Sequence, residues 1–206
     1  MRKPLIILAA LLSLLSLLMS QHALGQSADD IVKIEEFWEL KVDDPDPSYA
    51  APQITNAFAP VKQGDVLYAT LSMNHQLDGN QDFVEGGLQL QLWNGDLLLQ
   101  SRTSDKKQLL TKPGETITWK QVISIEDNGV IRFSICDGKS ESWGDFGSNL
   151  SLAVSTPLNS LNDYRPNDSI DHSGVVFAAN RVGHLRLTKV RATFRSGVTK
   201  TAVAGQ

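Results

Sequence analysis

The sequence predicts an all-β protein, a jelly-roll-type antiparallel β-sandwich of two packed sheets. Apolar residues recur at a period of two along most of the chain, and the apolar stretches are short and end at turn-forming residues. No segment has the pattern of an amphipathic helix. Roughly nine to eleven short strands of this kind are typical of a sandwich or a barrel. One half-polar face per strand favours two sheets packed on their apolar faces.

Residues 1–25 have the pattern of a secretory signal peptide. Arg2 and Lys3 precede the uncharged, Leu-rich stretch Pro4–Ser20, and small residues at positions 23 and 25 predict cleavage before Gln26. The alternative is an uncleaved anchor, but 17 residues of helix span roughly 25 Å, less than the ~30 Å hydrocarbon core. We therefore expect a secreted or periplasmic protein with no membrane association after cleavage.

The first strand is predicted at Val32–Val42, where five of the six even positions are apolar and four of the five odd positions are charged. The prolines that follow within 43–47 end it. Leu88, Leu90 and Leu92 alternate with polar residues before Asn94-Gly95, which predicts a type I′ hairpin turn and a return strand at 97–100.

A second hairpin is predicted around Asn128-Gly129, because alternating isoleucines precede and follow this pair. Near the C-terminus the apolar parity switches between Leu187 and Val190, as a β-bulge would require. No Ser/Gly linker or long repeat divides the chain, so we expect a single sandwich domain at 26–197. The small, polar residues 198–206 are expected to form a flexible tail.

Composition excludes several classes of protein. The 206 residues include 19 Lys and Arg and 23 Asp and Glu, for a net charge of −4, and 41% are hydrophobic. Such a chain is not disordered and lacks the basic footprint of a nucleic-acid binder. Its one Cys cannot form an intramolecular disulfide, and no His/Cys cluster has the spacing of a structural zinc site.

The C-terminal half resembles a known superfamily in four segments: Ile131–Gly138, Ser142–Gly147, Ser173–Val182 and Leu185–Leu187. They are similar to secreted bacterial sandwich domains of the concanavalin A-like lectin/glucanase superfamily. The resemblance implies a jelly-roll sandwich with a concave sheet that often holds glycans. It does not by itself imply catalysis.

Catalytic signatures are absent from the sequence. Retaining glucanases of this superfamily carry a Glu-x-Asp-x-x-Glu run on one strand, and Asp82-x-x-Glu85 supplies only half of it. Glu141 and Asp145 have the wrong spacing, and no nucleophile elbow, zinc-protease motif or phosphate-binding loop occurs. We expect a non-catalytic protein with a glycan or polysaccharide as partner. A glycoside hydrolase or polysaccharide lyase of the same fold, and a ligand-free structural envelope protein, are the alternatives.

The aromatic residues indicate where a glycan would bind. Trp93 shares strand parity with Gln89 and Gln91, so its ring is expected on the polar face, where it either stacks on a sugar or shields the hairpin. Trp143, in a Gly-containing loop, either closes the end of the sandwich or forms a binding rim. Arg181 is a further candidate for ligand contact or for pairing with a carboxylate. The parity of Trp38 and Trp119 predicts that both are core residues.

One loop has oxygen ligands at the spacing that calcium uses. Asp78, Asn80 and Asp82 stand at positions 1, 3 and 5, with Glu85 close behind. The loop lacks the Gly and Glu that an EF-hand requires, and a polar turn is the alternative. We expect that no cofactor is required, with calcium possible at this loop.

Overall fold

The computed structural model describes residues 27–43, 53–58, 61–63, 65–73, 88–104, 106, 110, 112–177 and 179–203. They form thirteen strands, a six-residue α-helix and a 3-10 turn. In chain order these are β1 Ile31–Val42, β2 Gln53–Ala57, β3 Val61–Gln63, β4 Asp65–Met73, β5 Leu88–Asn94, β6 Leu97–Thr103, β7 Thr116–Glu126, β8 Val130–Ser140, β9 Gly144–Phe146, β10 Ser151–Ser155, α1 Pro166–Asp171, β11 Gly174–Phe177, the 3-10 turn Ala179–Arg181, β12 Val182–Phe194 and β13 Thr199–Val203.

The strands form two antiparallel sheets, which confirms the predicted all-β sandwich. The seven-stranded sheet has the order β10-β8-β7-β1-β12-β13, with β9 paired to β8. The six-stranded sheet has the order β11-β2-β4-β5-β6, with β3 paired to β4. Helix α1 packs against β2 and β12, one strand of each sheet. The long strand β1 lies near the middle of its sheet, so one of its faces is directed to the core.

The core lies between the two sheets and contains the residues that alternation places inward. Trp38 and Trp119, each 2% exposed, are directly opposed on β1 and β7, and their rings stack at 6.4 Å. The indole of Trp119 donates a hydrogen bond across the core to Asn56 of the other sheet, at 3.1 Å. Phe58 and Phe133 also stack between the sheets, at 5.8 Å. The predicted core position of both tryptophans is confirmed.

One acidic side chain, that of Glu36, shares the inward face of β1. Its carboxylate accepts hydrogen bonds from the Trp38 indole at 2.8 Å, the Tyr164 hydroxyl at 3.1 Å and the Ser169 hydroxyl of α1 at 2.5 Å. Burial and the neighbouring Glu36 charge raise the pKa of Tyr164 well above its ordinary value, so the phenol keeps its proton. These bonds tie the 164–169 segment to the sandwich. These hydrogen bonds also explain why β1 has a polar residue, Glu36, on its otherwise apolar inward face.

The local predictions for turns and bulges hold with one change. The register of β1 and β12 shifts where Phe37–Trp38 faces Lys189 and Leu187, which is the predicted bulge. The β7–β8 hairpin turns at Gly129, with φ +75°. The β5–β6 hairpin also forms, but its turn residues are Gly95 and Asp96, and Asn94 remains paired in the strand. A type I′ turn needs positive φ at both central residues, and in this hairpin Gly95 alone has positive φ. The predicted type I′ turn at Asn94-Gly95 is therefore wrong.

The expectation of a flexible tail at 198–206 is corrected for residues 199–203. Gly197, at φ +85°, reverses the chain, and β13 pairs with β12 along its whole length. Five residues of ladder hydrogen bonding hold a segment that has no apolar run, which is why composition alone did not reveal it. The predicted signal peptide, residues 1–25, and residues 204–206 lie outside the described residues. In the described part of the chain, no helix is long and apolar enough to cross a membrane.

Candidate functional site

The outer face of the six-stranded sheet holds the residues that the sequence selects on β5. Leu88, Leu90 and Leu92 point into the core and are fully buried. A strand places alternate side chains on opposite faces, so Gln89, Gln91 and Trp93 lie on the outer face. The predicted parity of Trp93 is confirmed.

Trp93 is paired with a tyrosine that is not among the predicted ligand-binding residues. Tyr68 of β4 is its direct neighbour in the sheet, and the two rings are nearly parallel, at 9° with centroids 6.4 Å apart. The Trp93 indole donates to the Thr70 hydroxyl at 3.4 Å, so the ring is held in place on its polar edge. We call Tyr68, Thr70 and Trp93 the aromatic face.

A cavity of about 400 Å³ opens beside the aromatic face. Burial and the nearby Asp96 charge raise the pKa of Tyr68, so its hydroxyl is protonated and can donate a hydrogen bond. His172 enters from the segment after α1, and its Nδ1 lies 2.7 Å from the carbonyl oxygen of Asp168. The cavity thus combines apolar walls with hydroxyl, imidazole and carboxylate groups, and it is lined by Ala57, Phe58, Tyr68, Thr70, Gly95, Asp96 and His172.

The two glutamines have different roles on this face. Gln89 is 6% exposed and donates to the Ser101 hydroxyl of β6 at 2.8 Å, so it braces the two strands. Gln91 is half-buried and lies between Thr70 and Ser101 in the register. Of the two predicted amides, Gln91 is nearer to the aromatic face.

Trp143 lies in the core and not on a binding rim. It is 4% exposed and packs edge-on against Phe146 at 5.7 Å. The loop is held inward by Glu115, whose buried carboxylate accepts hydrogen bonds from the side chains of Ser140 and Ser142. Burial raises the pKa of Glu115, and these hydrogen bonds reverse the effect and lower it, so the group is ionised. Of the two alternatives for Trp143, the packing matches closure of the sandwich.

Arg181 is also not among the residues that line the cavity beside the aromatic face. It ends the 3-10 turn before β12, is 3% exposed, and its carbonyl accepts a hydrogen bond from the Asp43 amide at 2.6 Å. A side chain this buried meets no ligand from solvent. Trp143 and Arg181 are therefore not part of the candidate site.

The predicted calcium ligands lie outside the described residues, in the segment between β4 and β5. These are Asp78, Asn80, Asp82 and Glu85. In the part of the chain that is described, no group of three or more His, Cys, Asp or Glu side chains is placed to hold a metal ion. The calcium site therefore stays a prediction.

A larger cavity, of about 520 Å³, lies on the other sheet between β8, β9 and β10. Its aromatic lining is Phe146, which is 5% exposed, and Lys139 and Asp145 form a 3.7 Å ion pair beside it. It therefore presents no accessible ring on which a ligand could stack.

No protein-family model matches the chain, and no curated protein matches its sequence. Among solved structures, the chain is similar to scytalido-glutamic peptidase in two crystal structures, one with a peptide-based transition state analog and one with a transition state analog inhibitor. The identities are 10% and 11%, and the TM-scores are 0.29 and 0.28. Each match covers 86% of this chain and 77% of the peptidase chain. This is a weak all-β likeness, from which no argument about activity follows.

Proposed function

We propose that the protein is an exported, non-catalytic carbohydrate-binding β-sandwich whose aromatic face stacks on a sugar ring of a neutral glycan. The observation that supports the proposal best is the parallel pair of Tyr68 and Trp93 beside a cavity of about 400 Å³. The resemblance to the concanavalin A-like lectin/glucanase superfamily supports the same class of ligand.

The chemistry of the cavity suits a sugar. Small-molecule sites are concave, mostly apolar and marked by a few placed polar groups. The Tyr68 ring lines the cavity, and the Trp93 ring, which lies beside it outside the lining, extends the apolar surface that a pyranose could meet with its C–H groups. The Thr70 hydroxyl, the Asp96 carboxylate and the His172 imidazole lie where they can bond its hydroxyls.

The number of carboxylates that line the cavity favours binding over hydrolysis. Canonical glycoside hydrolysis uses two carboxyl groups that flank the scissile bond, at about 5–9.5 Å from each other. Among the described residues that line the cavity, Asp96 is the one carboxylate. A site with one carboxylate and two aromatic rings is suited to holding a sugar rather than cleaving it.

A glycan array tests the proposal, followed by titration calorimetry with neutral hexasaccharides of the β-glucan and xylan classes. Both are run with and without calcium, because the predicted calcium loop precedes β5. By analogy with base stacking, one aromatic platform contributes about 1–3 kcal/mol. Trp93→Ala should therefore weaken binding roughly tenfold or more.

The matched control is Leu97→Ala, because Leu97 is 64% exposed on the same hairpin but has no aromatic ring on which a sugar could stack. It should leave binding unchanged. Equal losses in both variants, or binding by the Trp93→Ala protein at full affinity, would contradict the proposal. Export itself is tested by N-terminal sequencing of the protein recovered outside the cytoplasm, which should begin near Gln26.

A further inference from the structure

The outer face of the seven-stranded sheet carries a second chemical surface, made of cations around one aromatic ring. Phe37 on β1 is the direct neighbour of Lys120 on β7 and of Lys189 on β12. Two residues earlier on β1, Glu35 is the neighbour of Arg191. We call Lys33, Glu35, Phe37, Lys120, Lys189 and Arg191 the cationic face.

The carboxylate of this face is buried beneath its cations. Glu35 is 3% exposed, and its oxygens lie 2.5 Å from Arg191 Nε, 3.2 Å from Lys120 Nζ and 3.4 Å from Lys33 Nζ. The side chains of Lys33 and Arg191 remain 40% and 39% exposed. One buried negative charge is thus covered by three positive ones, and a ligand arriving from solvent meets the cations.

Lys189 is the cation of this face that makes no ion pair with a described residue. Its Nζ lies 3.8 Å from the centroid of the Phe37 ring, and no carboxylate of the described residues is within 4 Å of it. Lys120 is further engaged by Asp137 at 2.9 Å. On the same face, Arg186 pairs with Glu39 at 2.7 Å. Five cations therefore face three carboxylates, which leaves a local positive excess on a chain whose net charge is −4.

A shallow cavity of about 190 Å³ adjoins these groups. Beside the Phe37 ring, its polar lining is Thr118, Thr188, Lys120, Asp137 and Glu39. The Glu39 carboxylate is itself paired, with Arg186 at 2.7 Å and with His184 at 2.8 Å. Thr188 stands at the β12 bulge, where its hydroxyl donates to the Phe37 carbonyl at 2.9 Å. The bulge sets Thr188 and Lys189 beside Phe37, so the Thr188 hydroxyl lies on the same side of the ring system as a cation.

We propose that the cationic face binds an acidic polysaccharide that carries carboxylates, at a surface independent of the aromatic face. Ammonium groups pair with uronate carboxylates, and the threonine hydroxyls and Asp137 suit sugar hydroxyls. A single-stranded nucleic acid is a poorer fit, because Lys189 covers the Phe37 ring on which a base would stack. The acidic chain also lacks the extended basic stripe of a nucleic-acid binder.

Polygalacturonate and its fully methyl-esterified form are the probes, because they share one backbone and differ in charge. Binding is measured by biolayer interferometry at 0.15 M NaCl, where charges more than about 8 Å apart are screened. We expect binding to polygalacturonate, affinity that falls with rising salt, and little binding to the ester. Lys189→Glu should weaken the affinity roughly tenfold, and Lys189→Gln by less, roughly threefold.

Lys200→Glu is the matched control. Lys200 lies on the same hairpin and covers an aromatic ring at 4.9 Å, but that ring is Phe194, outside the cationic face. It should change the affinity less than twofold, and circular dichroism melts should show all variants folded. The proposal is overturned by equal binding to both polymers, by equal losses in the Lys189 and Lys200 variants, or by equal affinity for an oligothymidylate. Trp93→Ala should leave polygalacturonate binding intact, which separates this result from the neutral-glycan site.

Discussion

Glu35 should make the stability of the protein depend strongly on pH below about 5. Burial raises the pKa of Glu35, but hydrogen bonds from Arg191 and Lys120 and the charge of Lys33 outweigh it and lower the pKa to about 2 from 4.5. A carboxyl whose pKa is lower in the folded state than in the unfolded chain stabilises the fold when ionised. Its contribution is therefore fully present above pH 5 and is lost as the pH falls toward 2. The pKa difference corresponds to about 3 kcal/mol.

The assay is urea unfolding of the wild type and of Glu35→Gln at pH values from 7 down to 2. Other carboxyls with lowered pKa values, such as Glu39 and Glu126, titrate in both proteins and cancel in the comparison. The difference in unfolding free energy between the two proteins should shrink by about 3 kcal/mol between pH 7 and pH 2. A difference that stays constant across this range would refute the reasoning that the three cations depress the pKa of Glu35.

Two further changes test the core. Trp119→Ala should lower the free energy of unfolding by roughly 3–5 kcal/mol, because it empties the space beside Trp38 and breaks the bond to Asn56; a loss below about 1 kcal/mol in urea melts would contradict this packing. Gln121→Met should instead raise stability by about 1 kcal/mol, because Gln121 is 1% exposed and neither amide atom has a hydrogen-bond partner in the described part of the chain. A lower midpoint in thermal melts of the Gln121→Met protein would contradict the inference that the buried Gln121 amide has no hydrogen-bond partner.

The two-sheet fold and the faces of its strands follow from the sequence because the side-chain period of a strand is fixed by geometry. Trp38, Trp119 and Trp93 each lie on the face that their neighbours' parity indicates. The β12 bulge could also be predicted from the sequence, because an extra residue in a strand moves the apolar side chains from even to odd positions or the reverse. Local alternation is therefore informative wherever a strand has one core face.

The composition of the site was harder to predict, because it depends on contacts between distant segments. Tyr68 could have been selected from its parity, opposite to the buried Leu67, Ala69 and Leu71, but its pairing with Trp93 depends on strand order. His172 reaches the cavity through the fold of the 164–172 segment, which no local pattern specifies.

The structures of the Trp143 loop and of the C-terminal tail were also not predicted, because they too depend on contacts between distant segments. Trp143 stands in a loop without alternation, and a carboxylate 28 positions earlier, Glu115, holds that loop inward. In the tail, pairing with β12 rather than intrinsic propensity makes 199–203 a strand.

The most direct test of the aromatic face uses the indole N–H signals of the four tryptophans in a ¹H–¹⁵N correlation spectrum. Trp38, Trp119 and Trp143 are buried in the core, whereas Trp93 stacks on Tyr68 of the cavity lining and its indole donates to Thr70. Titration with the neutral hexasaccharide that binds most tightly should shift the Trp93 signal, assigned with Trp93→Phe, and leave the other three in place. A saturating titration that shifts the Trp143 signal, or none of the four, would contradict glycan binding at the aromatic face.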